Sequence, residues 1–213
     1  MKQNENMTTL PLEMRVNRLD TQGGSCLAHL SMTLGECFAV RGIRLMEGKN
    51  GPFLSFPSYK AKDGYQDICF PLNGELRRQM TEAAVDAWSF ASMLEIHGLD
   101  HKAYTYLSLE TTYEGPLGIY LDENPQIRTI YLAQDADEGG LKSRANCRKL
   151  LEERGFTGKV IDKLPNDNAP GAKDWNDALI LKRADMEREP VGQTPIHADE
   201  PTVQPSIGLE LTP

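Results

Sequence analysis

Aromatic residues are scarce in this chain, at 7% of 213 residues, and no uninterrupted apolar run reaches about 18 residues. A helix that spans a bilayer needs roughly 20 consecutive apolar residues, so the sequence predicts no contact with a membrane. The first residues, MKQNENMTTL, lack the apolar stretch of a secretory signal, which predicts a cytoplasmic protein. Hydrophobic residues make up 39% of the chain, enough for a globular protein to bury a core.

Cysteine is also scarce. The four cysteines are far apart in the sequence, and no Cys-x-x-Cys pair occurs: they are Cys26, Cys37, Cys69 and Cys147. Because structural zinc sites are usually built from closely spaced cysteines and histidines, no zinc site is predicted. Intracellular cysteines are normally reduced, and small buried thiols are the expectation here.

Basic residues are outnumbered, with 23 against 31 acidic residues and a formal net charge of −8. Residues 1–90 hold 10 of each sign, whereas residues 91–213 hold 13 basic and 21 acidic side chains. Bulk charge of this sign cannot drive binding to nucleic acid, because it repels phosphates. Such binding would need a local basic patch or a divalent metal ion.

The first half of the sequence has the pattern of a small antiparallel sheet. In residues 25–34, leucine and methionine alternate with polar residues, as in a strand with one buried face. Turn signals such as Asn50-Gly51 separate short strands, which are predicted at 13–18, 25–34, 37–46, 52–56 and 67–71. A helix with Asn73 as its N-cap is predicted at 74–96. This half is therefore predicted to be an α+β domain, a small antiparallel sheet plus a helix.

The second half alternates strands with helices. Strands are predicted at 104–109, 127–133 and 159–161, and helices at 117–124 and 138–154. Strands separated by helices favour a parallel sheet, so this half is predicted to be an α/β domain.

The tail at 185–213 has five prolines and few bulky apolar residues, which predicts disorder, and residues 1–12 are predicted to be a flexible N-terminus.

Two carboxylates follow the strand predicted at 127–133. Asp135 and Asp137 are two residues apart, so their side chains project to the same side of an extended chain. They lead into Gly139-Gly140 at the start of a helix, where an anion is favoured. Mg²⁺ is usually held by one or two carboxylates, waters and phosphates, so the pattern predicts a Mg²⁺ site. The alternative is a helix-capping aspartate in an acidic loop that binds no metal.

Four motifs occur in order along the first half: FAVRGIR at 38–44, GKNGPF at 48–53, FPS at 56–58 and DICFPLN at 67–73. In order and spacing they resemble the stage V sporulation protein G (SpoVG) family, and the resemblance implies a role in sporulation or septation. Members of that family are small dimeric regulators, so the resemblance implies DNA or RNA as partner and a homodimer formed through the sheet. Candidate phosphate contacts are then Arg44, Lys49, Lys60, Lys62, Arg77 and Arg78. For the last two residues a solvated helix face is the alternative.

A second ordered set of motifs runs through the later part of the chain: EAAVDAWSFA at 82–91, LSL at 107–109, IRT at 127–129, DAD at 135–137 and KDWN at 173–176. This set resembles the Toprim domains of plasmid and integrative-element proteins, which are related to those of primases, topoisomerases and nucleases. The resemblance implies origin in a mobile genetic element, Glu82 as general acid/base, and Mg²⁺ held by Asp135 and Asp137. The remaining motif residues are Asp86, Asp174, Asn176 and Asp177, and the candidate phosphate contacts are Lys142 and Lys173.

The two resemblances overlap in one helix. The SpoVG-like domain is predicted at 13–92 and the Toprim-like domain at 82–184, so they share the helix at 74–96. In the Toprim family the glutamate ends a strand, whereas Glu82 lies inside this helix, and the first Toprim strand is missing. Three functions stay open: a SpoVG-type nucleic-acid-binding regulator with a degenerate Toprim-like domain, a Mg²⁺-dependent enzyme acting on nucleic-acid phosphodiesters as a primase or nuclease does, and an interaction protein that binds no nucleic acid.

Overall fold

The structure is a computed structural model that describes residues 11–20, 23–35, 37–109, 112–167 and 169–188. The strands are β1 (Leu12–Leu19), β2 (Cys26–Leu34), β3 (Phe38–Met46), β4 (Phe53–Ser55), β5 (Ser58–Ala61), β6 (Gly64–Asp67), β7 (Tyr106–Ser108), β8 (Thr129–Leu132) and β9 (Lys159–Asp162). The helices are α1 (Gly74–Ile96), α2 (Gly115–Glu123), α3 (Glu138–Glu153) and α4 (Trp175–Arg188), with short 3₁₀ turns at His101–Ala103 and Pro165–Asp167.

A five-stranded sheet in the order β4-β3-β2-β1-β7 forms the N-terminal part, and all its neighbouring strands are antiparallel. This confirms the predicted antiparallel sheet with a helix. One face carries alternate apolar residues of the three long strands, and these side chains are almost completely buried: Met14, Val16, Leu30, Met32, Ile43 and Leu45.

The helix α1 covers that apolar face. Its N-cap is the predicted Asn73, whose side-chain oxygen accepts the backbone N–H of Leu76 at 2.7 Å. The same core continues into α4, since Trp175 and Leu179 belong to the cluster that α1 forms with the sheet. The Trp175 ring meets Phe90 of α1 edge to face, with ring centroids 4.5 Å apart. One hydrophobic core therefore unites α1, the sheet and the last helix.

A hairpin of β5 and β6, which was not predicted, precedes the strand predicted at 67–71. The hairpin turns at Lys62-Asp63, and Gly64, the first residue of β6, has a φ of +128°, a conformation that favours glycine. The predicted strand at 67–71 is wrong, because β6 ends at Asp67 and the next residues pair with no neighbouring strand among the described residues. Two of its apolar side chains are exposed, Ile68 at 66% and Phe70 at 53%, whereas Cys69 packs against the core and Pro71 is buried.

The strands β8 and β9 form a parallel pair, with Thr129 opposite Lys159 and Leu132 opposite Asp162. This confirms a parallel sheet in the second half. The strand at 106–108 does not join it, because β7 pairs antiparallel with β1 in the N-terminal sheet. A second, smaller core of Leu117, Leu132, Cys147 and Leu151 lies under β8 and α3, and Leu107 of β7 packs against it.

Both ends of the described chain are more ordered than predicted. Leu12 is only 2% exposed and pairs with β2 and β7, so ordered structure begins inside the range predicted to be flexible. The helix α4 runs to Arg188, so the prediction of disorder is wrong for 185–188. The rest of the predicted tail, 189–213, lies outside the described residues, as do residues 1–10. Within the described part of the chain, no helix is long and apolar enough to cross a membrane.

Candidate functional site

The loop after β8 carries the predicted carboxylate pair. Asp137 is the N-cap of α3, and its Oδ1 accepts the backbone N–H of Gly140 at 2.7 Å. A Cβ atom at Gly140 would overlap the backbone carbonyl of Asp135, so this close approach of helix and loop requires glycine. The capping role proposed as the alternative is present, and it leaves Oδ2 of Asp137 and both oxygens of Asp135 for other contacts.

This loop is held from two other elements. The backbone N–H of Ala136 donates to the carbonyl of Lys173 at 2.8 Å, and the indole N–H of Trp175 donates to the carbonyl of Ala133 at 2.6 Å. From α3, the buried Arg144 donates to the carbonyl of Gln134 at 3.0 Å. These bonds fix the backbone on which the two aspartates stand.

The KDWN motif forms the start of α4. Oδ1 of Asp174 accepts the N–H of Asp177 at 2.7 Å, and Oδ2 of Asp177 accepts the N–H of Lys173 at 3.3 Å. This reciprocal capping fixes both carboxylates at the helix N-terminus. Asn176 lies between them on the first helical turn, half-buried.

The carboxylates of the two loops lie close enough to perturb each other. Partial burial and, after it, the neighbouring charges of Asp174, Asp137 and Asp177 together raise the pKa of Asp135 to about 6. The loop after β8 and the N-terminus of α4 therefore form one carboxylate cluster.

The helix α1 adds a further carboxylate to this cluster. Although Asp86 is exposed at the surface of α1, its desolvation by the surrounding atoms and the charges of Asp135, Asp174 and Glu82 together raise its pKa to about 7. Asp86 and Glu82 are one helical turn apart, and the charges that act on Asp86 place its carboxyl group near both loops. We call Asp86, Asp135, Asp137, Asp174 and Asp177 the carboxylate cluster.

Glu82, the predicted general acid/base, has a different environment. Arg78 donates two hydrogen bonds from Nη1 to the Glu82 carboxylate, at 2.7 and 2.6 Å, and a further bond from Nη2 to Glu75 at 2.6 Å. Both members of the Arg78–Glu82 pair are more than half exposed. Glu82 is thus paired with a counterion on the helix surface, whereas the charges that act on Asp86 are those of Asp135, Asp174 and Glu82, all of them negative.

Among the described residues, one group of three metal-ligating atoms lies within 4.8 Å, and it is elsewhere, formed by Asp20, Cys26 and His29. This group was not predicted, because residues three apart in a regular strand point to opposite faces. A β-bulge at Leu27 turns Cys26 and His29 to the same face. Arg18 already contacts two of its members: Nη2 lies 2.6 Å from Nε2 of His29 and 3.7 Å from the Asp20 carboxylate. The Arg18 guanidinium therefore already supplies, beside Asp20 and His29, the positive charge that a metal ion would bring.

The basic residues predicted to contact phosphate are exposed but not grouped. Arg78 is neutralised by two glutamates, and the Arg77 guanidinium lies over the Phe56 ring, 5.6 Å from its centroid. Arg44 donates to the Ser55 hydroxyl at 3.3 Å. The others are exposed lysines in the β3–β4 turn, the β5–β6 hairpin, α3 and the loop before α4: Lys49, Lys60, Lys62, Lys142 and Lys173.

Three arginines that sequence reasoning missed accompany Arg44 on the face of the N-terminal sheet opposite α1. Register places Arg15 and Arg41 on either side of Ser31, and Arg18 and Arg44 on either side of His29. The signal in the sequence is Arg-x-x-Arg, which occurs at 15–18 and at 41–44. In regular strands such residues would point to opposite faces.

Replacing Asp86 with asparagine tests its place in the carboxylate cluster. An unfolded aspartate has a pKa near 3.9, so a folded pKa of about 7 means that the native state loses stability as pH rises from about 4 to 7. Asparagine removes that ionisation. We expect Asp86→Asn to raise stability at pH 8 in EDTA by about 1 kcal/mol, or roughly 2–4 °C in Tm, after allowance for solvent screening. At pH 4 the variant and the wild type should melt together.

The control is Asp63→Asn, an exposed change in the β5–β6 turn, where asparagine before glycine is well tolerated. It should show no pH-dependent difference. A loss of stability for Asp86→Asn that is the same at pH 4 and pH 8 would place Asp86 outside the cluster.

Comparison with known proteins identifies both halves. A family model described as SpoVG matches residues 11–89, and one described as Toprim-like matches residues 79–179. Proteins named septation protein SpoVG are similar to this chain: one from Caldicellulosiruptor saccharolyticus is 34% identical over 77 residues, 36% of this chain and 86% of that protein. One from Clostridium perfringens is 33% identical over 85 residues, 39% of this chain and 93% of that protein. In its N-terminal half the chain therefore belongs to the SpoVG family, and it continues through the shared helix α1 into a Toprim-like domain.

Proposed function

We propose that this chain is a nucleic-acid-binding regulator of SpoVG type whose Toprim-like domain holds Mg²⁺ without cleaving nucleic acid. The observation that carries this proposal is the division of roles on α1. Glu82 is bound by Arg78 on the helix surface, while Asp86 faces the carboxylates of the two loops. The cluster offers carboxylate oxygens to a cation, although no three of them in the described part of the chain lie within 4.8 Å of one another, and the expected general acid/base is held by a counterion.

Mg²⁺ fits the chemistry of this cluster. It prefers oxygen ligands, and its sites commonly combine one or two carboxylates with several waters. Asp135 and Asp137 would hold the ion, with Asp174 and Asp86 nearby. Burial and, after it, the charges of neighbouring carboxylates raise the pKa of Asp135 and Asp86, and a bound cation would offset both effects. A phosphate contact of the bound Mg²⁺, beside the exposed Lys142 and Lys173, belongs to the enzymatic alternative.

A Mg²⁺-dependent enzyme acting on phosphodiesters is the second candidate. It is favoured by the position of Asp86, one turn from Glu82 and directed into the cluster, with a pKa of about 7 that allows proton exchange near neutral pH. In this function Asp86 replaces Glu82 as the acid/base.

The motifs at 82–91 and 173–176 favour origin in a mobile genetic element for either function. A nucleic-acid partner would be met in the cytoplasm.

We also infer a homodimer formed through the SpoVG-like half. An apolar groove of about 250 Å³ opens between the sheet and the start of α1, and its rim includes Phe38, Phe70 and Leu72. These side chains are 55%, 53% and 89% exposed, which is unusual for large apolar residues that lie together. A second copy would cover them.

Leu72→Glu is expected to convert the dimer to a monomer at micromolar concentration, because it places a charge at the centre of the apolar rim. Light scattering after size exclusion measures the mass directly. Leu141→Glu changes an equally apolar, 54% exposed residue on α3 and should leave the dimer intact. A wild-type chain that elutes as a monomer would contradict the dimer.

The function is tested by fluorescence anisotropy with labelled single-stranded and duplex oligonucleotides of DNA and RNA, with and without Mg²⁺, followed by gel analysis of the probe. The proposal expects binding that weakens steeply with salt and leaves every probe intact. Mg²⁺-dependent cleavage that Asp86→Asn removes would favour the second candidate. Absence of binding to every probe would leave an interaction protein that binds no nucleic acid.

A further inference from the structure

We propose that the face of the N-terminal sheet opposite α1 binds single-stranded nucleic acid, with four arginines contacting phosphates and Phe53 stacking on a base. This inference rests on the proposed function, since it names the surface and the form of nucleic acid. We call this surface the arginine face; it is formed by Arg15, Arg18, Arg41, Arg44 and Phe53.

The strand register sets the arrangement of the arginines. Arg15, Ser31 and Arg41 lie side by side on β1, β2 and β3, and Arg18, His29 and Arg44 form the next row on the same face. The residues between these rows, Val16, Leu30 and Ile43, point to the opposite face and are buried in the core. From strand geometry the rows are about 7 Å apart, and the arginines within a row about 10 Å apart.

Two β-bulges create this arrangement. The pairing skips Asn17 on β1 and Gly42 on β3, so that residues three apart in sequence share one face. Gly42 has a φ of +76° and open space around its Cβ position, so backbone conformation rather than crowding requires glycine there. The two bulges lie opposite each other across β2, and each brings a second arginine to the arginine face.

The positive charge of this face is only partly balanced. Arg15 pairs with Glu13 at 2.7 Å, and Arg18 lies 3.7 Å from Asp20. Arg41 and Arg44 make no ion pair within the described part of the chain, and both are exposed. In a protein with a net charge of −8, four arginines on one open face are a local patch of the kind that phosphate binding needs.

An aromatic ring stands at the end of this patch. Phe53 of β4 pairs with Met46, two positions from the pairing of Ser55 with Arg44, so Phe53 and Ser55 share the arginine face. The ring is 48% exposed, and Gly48 lies so close to it that a Cβ there would be 2.9 Å from the ring. Arginines beside an exposed ring are the combination that binds single strands, because unpaired bases can stack while phosphates meet cations. Bases in a duplex are stacked on each other and do not reach such a ring.

The test measures anisotropy of a fluorescein-labelled 20-nucleotide single strand and of the matching duplex, over a series of salt concentrations in EDTA. For the double variant Arg41→Ala/Arg44→Ala we expect at least tenfold weaker binding of the single strand. The slope of log K against log salt should fall in magnitude by about 1.4, since each phosphate contact in a single strand contributes about 0.7. Phe53→Leu should weaken the single strand about tenfold and leave the duplex unchanged.

Two controls separate charge from structure. Lys149→Ala/Lys163→Ala removes the same charge from exposed lysines of the Toprim-like half and should bind as the wild type does. Arg41→Lys/Arg44→Lys keeps the charge on the arginine face and should retain most of the salt slope. Circular dichroism and thermal melting establish that each variant is folded.

The outcomes are distinguishable. If the wild type binds but Arg41→Ala/Arg44→Ala matches the lysine control, the arginine face is not the binding surface, although the proposed function stands. If Phe53→Leu is silent and the duplex binds as tightly as the single strand, the preference for single strands is wrong. If the wild type binds neither probe, the proposed function fails together with this inference.

Discussion

Asp135→Asn is expected to abolish the stabilisation of the chain by Mg²⁺. Asp135 lies at the centre of the carboxylate cluster, where burial and the charges of Asp174, Asp137 and Asp177 raise its pKa to about 6. With Mg²⁺ at ten times its dissociation constant, the wild type should gain about 1.4 kcal/mol of stability, which corresponds to roughly 3–5 °C in Tm. The variant should show no such gain, and calorimetry should find at least tenfold weaker Mg²⁺ binding.

The matched change in the same loop is Asp137→Asn. Asparagine still accepts the N–H of Gly140, so the cap of α3 is kept while one negative charge is removed. This variant should fold as the wild type does and lose only part of the Mg²⁺ effect. An unchanged Mg²⁺-dependent rise in Tm for Asp135→Asn would contradict a metal site at the cluster.

Trp175→Ala is expected to have the largest effect on stability. The Trp175 side chain is 6% exposed, contacts Phe90 edge to face, and donates its indole N–H to the carbonyl of Ala133. Truncation of a buried tryptophan costs about 3–5 kcal/mol, so Tm should fall by about 10 °C. Because this residue joins α1, α4 and the end of β8, the variant should also lose Mg²⁺ binding.

Trp175→Phe separates packing from hydrogen bonding at this position. It keeps an aromatic ring against Phe90 but leaves the carbonyl of Ala133 without the indole donor, at a cost of about 1–3 kcal/mol. Thermal melting followed by circular dichroism compares the three proteins. If Trp175→Ala instead produced two separate transitions with one at the wild-type Tm, the halves would not share the single core described above.

Local sequence signals predicted much of the fold. The alternation in β2, the N-cap Asn73 and the helix α3 after the carboxylate pair each depend on neighbouring residues, which the sequence displays directly. The pairing of β7 with β1 was missed because it joins residues nearly a hundred positions apart, and three strand residues carry no information about their partner. The segment 67–71 was mistaken for a strand because Ile68 and Phe70 alternate with other residues, although both are exposed.

The loop after β8 lies beside the start of α4. The motif order assigned both segments to one Toprim-like domain. It did not reveal that Arg78 would pair with Glu82 or that Asp86 would face the cluster, since both depend on how α1 is rotated against the loops. The arginine face was hidden for a similar reason, because a strict two-residue period places Arg41 and Arg44 on opposite faces until the bulge at Gly42 is known.

The central claim is that nucleic acid binds to the SpoVG-type half while the carboxylate cluster holds a cation and performs no cleavage. The most direct measurement compares wild type and Asp135→Asn for affinity to a labelled single strand over a series of salt concentrations, with and without Mg²⁺, and examines the recovered probe on a gel. The account predicts equal, salt-sensitive affinities for the two proteins and an intact probe in every sample. Mg²⁺-dependent cleavage by the wild type that Asp135→Asn abolishes would contradict it.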